Sequence, residues 1–234
     1  MAQYGLSCEK PEIHWDKVQQ QKQKVVDGLT GGIEYLFKKN GVEYIKGHGT
    51  LNSANEITIE NNGEKQTIQA DNTILATGSA PIQLPGFEFD EKKIVSSTGA
   101  LALKEIPQKM IIIGAGVIGL ELGSVYRRLG SEIVVIEYLD KIAPFLDQEI
   151  GKNFERFLKK EKFKFKFQQK CLKGEVLENG KVRVTFEDLK TKKTNTEEAD
   201  VVLLSTGRKP YTENLGLDKL GIETDKLGRI KIND

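Results

Sequence analysis

Met110-Ile111-Ile112-Ile113 runs straight into Gly114-Ala115-Gly116-Val117-Ile118-Gly119, and this junction limits the fold more than any other stretch of the chain. Four consecutive apolar residues suit a strand buried on both faces, as in a parallel sheet covered by other layers. The mixed apolar and polar residues from Val117 to Leu129 suit a helix. The three glycines between and within them have separate tasks. Gly114 permits the tight turn, Gly116 lets the backbone come close to a pyrophosphate, and Gly119 lets helix and strand pack closely. Free N–H groups at the helix start would then hold the phosphate charge.

Glycines at this spacing also occur in ordinary turns, so the flanking residues decide. A second apolar strand, Glu132-Ile133-Val134-Val135-Ile136, ends at Glu137, which lies 23 residues past Gly114. A carboxylate at that interval is placed to accept hydrogen bonds from ribose hydroxyls. It would repel a 2′-phosphate, and Tyr138 and Leu139 bring no positive charge to offset it. The pattern therefore predicts a dinucleotide site that prefers NAD to NADP.

The chain has 234 residues, enough for one large or two small domains. A formal net charge of +1 provides no bulk attraction to nucleic acid or to a membrane surface. No apolar run approaches the length that spans a bilayer, and the first ten residues are neither a signal peptide nor a basic presequence. Cys8 and Cys171 form no C-x-x-C and point to a reduced compartment. His14 and His48 stand apart, so no metal-ligand spacing is present.

In chain order, Val18, Val25, Leu29, Ile33 and Leu36 recur at helix spacing after Glu12, and Asn40-Gly41 supplies a stop. Gly28, Gly31 and Gly32 share one face of this helix. Another backbone approaches there, or the helix frays. Strands are expected at Val42 to Lys46, Glu56 to Glu60 and Gln66 to Ala70, with Asn61-Asn62-Gly63 as a hairpin turn. Gly47-His48-Gly49 admits a ligand or forms a bulge. Thr73 to Ala76 reads as another buried strand, and residues 82–108 as a connection between domains. Further on, Asp147 to Lys160 reads as a helix with Ile150, Phe154, Phe157 and Leu158 inward and a solvated basic face outward. Phe163 to Phe167 alternates as a half-buried strand. Two strands near Gly174 to Leu177 and Val182 to Phe186 flank the turn at Glu178 to Lys181, and Val201 to Leu204 is a third.

Two stretches echo one another. Ile74-Leu75-Ala76-Thr77-Gly78 and Leu203-Leu204-Ser205-Thr206-Gly207 each run from apolar residues through a small residue into Thr-Gly, with a proline three residues on, Pro81 and Pro210. This duplication predicts two nucleotide-binding domains of related design. Gly114 precedes Gly207 by 93 residues, and the same interval before Gly78 falls ahead of Met1. The first domain's phosphate loop is therefore expected upstream of this sequence.

Leu29-Thr30-Gly31-Gly32-Ile33, Ile94 to Leu101, Gly114 to Ser124, Lys162 to Lys166 and Gly207 to Leu217 together resemble the dihydrolipoyl dehydrogenase family of flavoprotein disulfide reductases. The resemblance implies an α/β fold of two Rossmann-like FAD/NAD-binding domains with β-meander insertions, the first incomplete. It implies a remnant of the FAD-binding domain over 1–104, an NAD-binding domain over 105–225 and a return toward the FAD domain over 226–234. By the same resemblance Gly114, Ala115, Gly116, Val117, Ile118, Gly119, Leu120, Glu121, Glu137, Cys171 and Gly207 hold NAD. Gly49, Thr77, Gly78 and Ser79 contact FAD. Glu121 matches a glutamate on the nicotinamide side of the flavin.

The implied reaction is oxidation of dihydrolipoamide by NAD, with electrons passing through a cysteine pair and FAD. The implied partners are lipoyl domains of 2-oxo acid dehydrogenase complexes and a second subunit of a homodimer. The mitochondrial matrix or the bacterial cytoplasm is the implied compartment. The sequence also departs from that family. It lacks the C-x-x-x-x-C redox pair, the acid–base histidine with its glutamate, the Gly-Asp flavin segment and the dimerisation domain. A thiolate relay needs two adjacent sulfurs, which neither Cys8 nor Cys171 has. The expectation is a fragment that binds NAD without lipoamide turnover. A binding module without chemistry and another disulfide reductase of the same plan are the alternatives. Residues 1–100 should expose a sheet edge, whereas 105–225 should fold alone.

Overall fold

A computed structural model describes residues 12–233; Cys8 lies outside the described residues. The chain divides into two compact units. The first holds the N-terminal helix with residues 102–106, and the second holds 46–101 and 107 onward.

In the first unit, helix α1 spans Trp15–Lys39. Asp16 in its first turn and Lys38 and Lys39 in its last complement the helix dipole. Asn40 caps it and Gly41 follows with φ +66°, as the stop signal predicts. The indole Nε1 of Trp15 donates to the carbonyl of Leu103 at 2.9 Å. The expected close approach at Gly28, Gly31 and Gly32 is not found. Nothing lies within 4 Å of the Cβ each would carry, and the helix continues through them without fraying. The apolar stripe is uncovered among the described residues, with Leu29 68% exposed. Val42 to Lys46 is not a strand, because no neighbouring segment among the described residues offers it a ladder.

The second unit begins with an antiparallel meander of β1 (His48–Leu51), β2 (Glu56–Asn61) and β3 (Glu64–Gln69). Asn62 and Gly63 both take positive φ, +51° and +87°, which the right-handed strand twist favours in a two-residue hairpin turn. β4 (Ser79–Pro81), β5 (Ile94–Val95) and α2 (Ser97–Leu101) follow. Residues 82–108 thus contribute a strand and a helix as well as a connection. β6 (Lys109–Ile113), α3 (Val117–Arg128), β7 (Glu132–Ile136), α4 (Gln148–Lys160) and β8 (Lys164–Lys166) are the alternating strands and helices that the glycine junction requires. A second meander follows, β9 (Gln169–Val176), β10 (Val182–Asp188) and β11 (Thr194–Ala199), of which β11 was not anticipated from the sequence. β12 (Val201–Leu204) and β13 (Arg208–Pro210) end the strand series.

β5, β12, β6, β7 and β8 lie in that order in one parallel sheet. Its sides are used differently. Ile111, Ile113, Val134, Ile136, Val202 and Leu204 pack with Val182, Val184 and Phe186 of the second meander. On the opposite side Ile112 lies beneath Gly119 and Gly123 of α3. This two-sided burial explains the uninterrupted apolar runs of β6 and β12.

The duplicated motifs meet directly. β4 and β13 pair antiparallel, Arg208 opposite Pro81 and Pro210 opposite Ser79. The apolar runs before them have different fates. Val201 to Leu204 lies between β5 and β6, fully buried. Thr73 to Ala76 is not a strand, and Ile74 is 90% exposed. An apolar run becomes a strand only where a neighbour completes its hydrogen bonds, and residues 73–76 have none among the described strands. The inward set of α4 is also smaller than expected. Leu158 is buried, but Ile150 and Phe157 are about half exposed, at 57% and 49%. Of its residues only Leu158 is fully buried.

Candidate dinucleotide site

The carboxyl ends of β6, β7 and β12 converge where the strand order reverses, the position at which open α/β sheets form their crevice. A cavity of about 840 Å³ opens there, within the size range of small-molecule sites. Its lining is mainly apolar, with a few polar groups on one side.

Gly114 and Gly119 serve the turn and the close packing that the spacing implies. Gly114 has φ +100°, and a Cβ on it would stand 2.7 Å from the carbonyl oxygen of Ser205. A Cβ on Gly119 would stand 2.5 Å from Ser205 Oγ, 2.6 Å from Gly114 O and 2.9 Å from Ile112 Cγ2. Gly116 differs from both. Its φ of −81° suits any residue, and only Ser205 O, at 4.0 Å, lies near its Cβ position. The space that a side chain would fill there is the cavity itself. Gly116 thus leaves open space at the cavity wall and is not required by packing. Gly116→Ala should leave the melting temperature within about 2 °C of wild type, since it meets no steric conflict. It should nonetheless lower NADH affinity at least tenfold, about 1.4 kcal/mol. Calorimetry of unfolding beside a fluorescence titration separates the two effects.

Gly116 caps α3, and the first intrahelical bond is Leu120 N–H to Gly116 O at 3.1 Å. The N–H groups ahead of it lie at the positive end of the helix dipole. Val117 and Ile118 line the cavity; Ala115, Gly119 and Leu120 are buried beneath it.

Glu137 lines the cavity from the end of β7. Its Oε2 accepts the Ala115 N–H at 2.6 Å and its Oε1 accepts the Leu139 N–H at 2.8 Å. Each carboxylate oxygen has two acceptor positions, so each keeps one that these two bonds do not use. Cys171 and Gly207 also line the cavity, as do Lys170, Tyr138 and Leu139. The Cys171 thiol is pushed up to about 12, first by burial and then by the Glu137 charge. At neutral pH it is a protonated, unreactive thiol.

Glu121 lies farther along α3 on an exposed face and is not part of this lining. Gly49, Thr77, Gly78 and Ser79 also lie outside it, the last three bonded to β13 and the residue after it. Thr77 Oγ1 donates to Tyr211 O at 2.6 Å, Tyr211 N–H donates to Gly78 O at 3.0 Å, and Arg208 Nε donates to Ser79 Oγ at 2.8 Å. Thr50 Oγ1, next to Gly49, donates to Asn214 O at 3.0 Å.

Sequence reasoning missed the walls. Leu84 and Pro85 close one side. They are held there because Gly86, at φ +80°, packs against Leu172 O, where a Cβ would come within 2.6 Å. Phe145, 64% exposed, stands on another side. An exposed aromatic beside Pro144 was the available signal for it.

A strand–glycine loop–helix with an acidic residue at the end of the next strand is the pattern of the dinucleotide-binding fold. Residues 5–234 match the family described as pyridine nucleotide-disulphide oxidoreductase, and the chain belongs to that family. It is 49% identical to the mitochondrial dihydrolipoyl dehydrogenase of Pisum sativum, over all of this chain and 46% of the pea protein. It is 47% identical to a leghemoglobin reductase of Glycine max, over all of this chain and 45% of that protein. The chain thus spans about half the length of these relatives. In fold it is similar to the flavoprotein disulfide reductase RclA of Escherichia coli, solved as a Cu(II) complex. That likeness has a TM-score of 0.83 at 22% identity and covers 93% of this chain and 48% of RclA.

Proposed function

We propose that this chain is the NAD-binding part of a dihydrolipoyl dehydrogenase. The observation that carries the reading is the bond from Ala115 N–H to Glu137 Oε2 above the glycine loop, in a cavity large enough for a nucleotide. In this reading Glu137 accepts the ribose hydroxyls. The α3 N-terminus and the open face of Gly116 take the pyrophosphate, and Cys171 and Gly207 flank the nicotinamide half. The bound nicotinamide supplies hydride acceptance. The chain's own residues orient it, exclude water with Leu84, Pro85 and Phe145, and set the ribose specificity. Residues 105–225 form the NAD-binding domain, with Phe87 and Ile94 of the preceding segment completing its core.

The whole enzyme would oxidise dihydrolipoamide with NAD to lipoamide and NADH. FAD would lie at Gly49 and Thr77 to Ser79, with Glu121 on the nicotinamide side of the flavin. Lipoyl domains of 2-oxo acid dehydrogenase complexes and a second subunit would be its partners. A mitochondrial location follows the named pea relative. The similarity to a leghemoglobin reductase supports a second reading, in which the whole enzyme delivers electrons to another acceptor.

Fluorescence titration of the chain with NADH and NADPH tests the binding claim. Saturable NADH binding is expected, with NADPH at least about tenfold weaker. The Glu137 charge opposes a 2′-phosphate, and among the described residues Lys170 is the one lining cation set against it. Equal affinity for both would contradict the ribose assignment. The isolated chain should show no lipoamide-dependent NADH turnover, because Cys171 has no second cysteine five residues away. Turnover above the buffer rate would refute that.

A further inference from the structure

We infer that Ser205 is a positioning residue for the phosphate loop, acting on the same peptide bond that Glu137 holds from the other side. The inference rests on the NAD-binding reading of the cavity. Ser205 follows β12 and reaches back over β6. Its backbone N–H donates to Ile113 O at 2.9 Å. Its Oγ lies 3.1 Å from Ile113 O and 3.0 Å from Gly114 O. A hydroxyl has one proton to donate. Ile113 O is already satisfied by the Ser205 N–H, so the proton is best used on Gly114 O.

The Gly114–Ala115 peptide is then fixed at both ends. Its carbonyl accepts from the Ser205 hydroxyl, and its N–H donates to the Glu137 carboxylate at 2.6 Å. A peptide unit is planar, so two bonds on opposite edges set its rotation. That rotation sets the direction of the amides that follow, from Gly116 into α3. Gly114, at φ +100°, lacks the steric restriction that would otherwise limit it. The hydroxyl supplies the constraint that glycine gives up. A ligand gripped by oriented amides gains because their ordering is complete before it arrives. Ser205 itself lines the cavity and is half-buried, and Gly119 leaves the room its Oγ occupies.

The test uses Ser205→Ala in the full chain, with NADH measured by fluorescence and ADP-ribose and adenosine measured by displacement of NADH. Adenosine carries the ribose hydroxyls without the pyrophosphate. The expected result is a three- to tenfold loss of affinity for NADH and ADP-ribose, with adenosine changed less than twofold and the melting temperature nearly retained. Ser205→Cys keeps the unbranched side chain and the donor position with a larger atom and a weaker donor and should show the same selective loss at smaller amplitude, even if the alanine variant folds poorly. Equal losses for adenosine and ADP-ribose in Ser205→Cys would mean a general structural role and overturn the inference, as would unchanged affinity for all three ligands. A wild-type chain that binds no NADH overturns the NAD reading itself, and this inference with it.

Discussion

Replacing Glu137 with glutamine is expected to weaken NADH binding by about 10- to 100-fold, while NADPH binding changes little. The carboxylate has two jobs, and glutamine performs each less well. It holds the Ala115 N–H of the glycine loop at 2.6 Å and, in the proposed reading, accepts the ribose hydroxyls at its remaining acceptor positions. Glutamine keeps one oxygen and turns the other acceptor into a donor. Bonds to a charged group contribute about 1.5–3 kcal/mol, roughly twice their neutral counterparts. Losing one such bond to the ligand therefore accounts for about one to two decades of affinity. NADPH loses the same acceptor but escapes the repulsion between the carboxylate and the 2′-phosphate, so the two effects oppose one another. The ratio of the two dissociation constants is the informative quantity. If it stays at the wild-type value while both affinities fall, Glu137 supports the loop without selecting the ribose.

Gly119→Ala should give the largest loss of stability, about 2 kcal/mol, seen as a fall of roughly 4–8 °C in melting temperature. Helix propensity alone predicts the opposite sign, since alanine in a helix interior is better than glycine by about 1 kcal/mol. The added methyl decides the outcome. It would stand 2.6 Å from the backbone oxygen of Gly114 and 2.9 Å from Ile112 Cγ2, and neither atom is the free end of a flexible side chain. To admit it, α3 must lift from β6, which also separates the helix N-terminus from the loop. Gly28 is the natural control. It too lies inside a helix, but nothing stands within 4 Å of its Cβ position, so alanine there should not lower stability. A Gly119→Ala protein that melts at or above the wild-type temperature would show that the helix relaxes without cost.

These two residues also show how far the local code reaches. The places of Gly114, Gly116, Gly119 and Glu137 in the loop and strand ends were legible in spacing alone, because a strand–loop–helix junction is built from consecutive residues. The apolar runs of β6, β7 and β12 were equally plain, since burial on both faces leaves no polar position. Hairpin turns such as Asn62-Gly63 declared themselves through the backbone angles they require.

Partners distant in the chain were not legible in this way. Thr73 to Ala76 and Val201 to Leu204 look alike as sequence, yet only the second has strands on both sides and becomes buried. Ile150 and Phe157 match the apolar period of α4, yet they remain half exposed. Leu84, Pro85 and Phe145 join the cavity from segments that carry no motif. The bond from Ser205 to Gly114 spans 91 residues, and no periodicity records it. Sequence by itself determined which residues could hold a dinucleotide, since turn angles, helix dipole and carboxylate charge are local properties. Tertiary structure alone decided which apolar runs became strands, what walled the cavity and what braced its loop, since burial and hydrogen bonding between distant segments depend on neighbours the chain acquires only on folding.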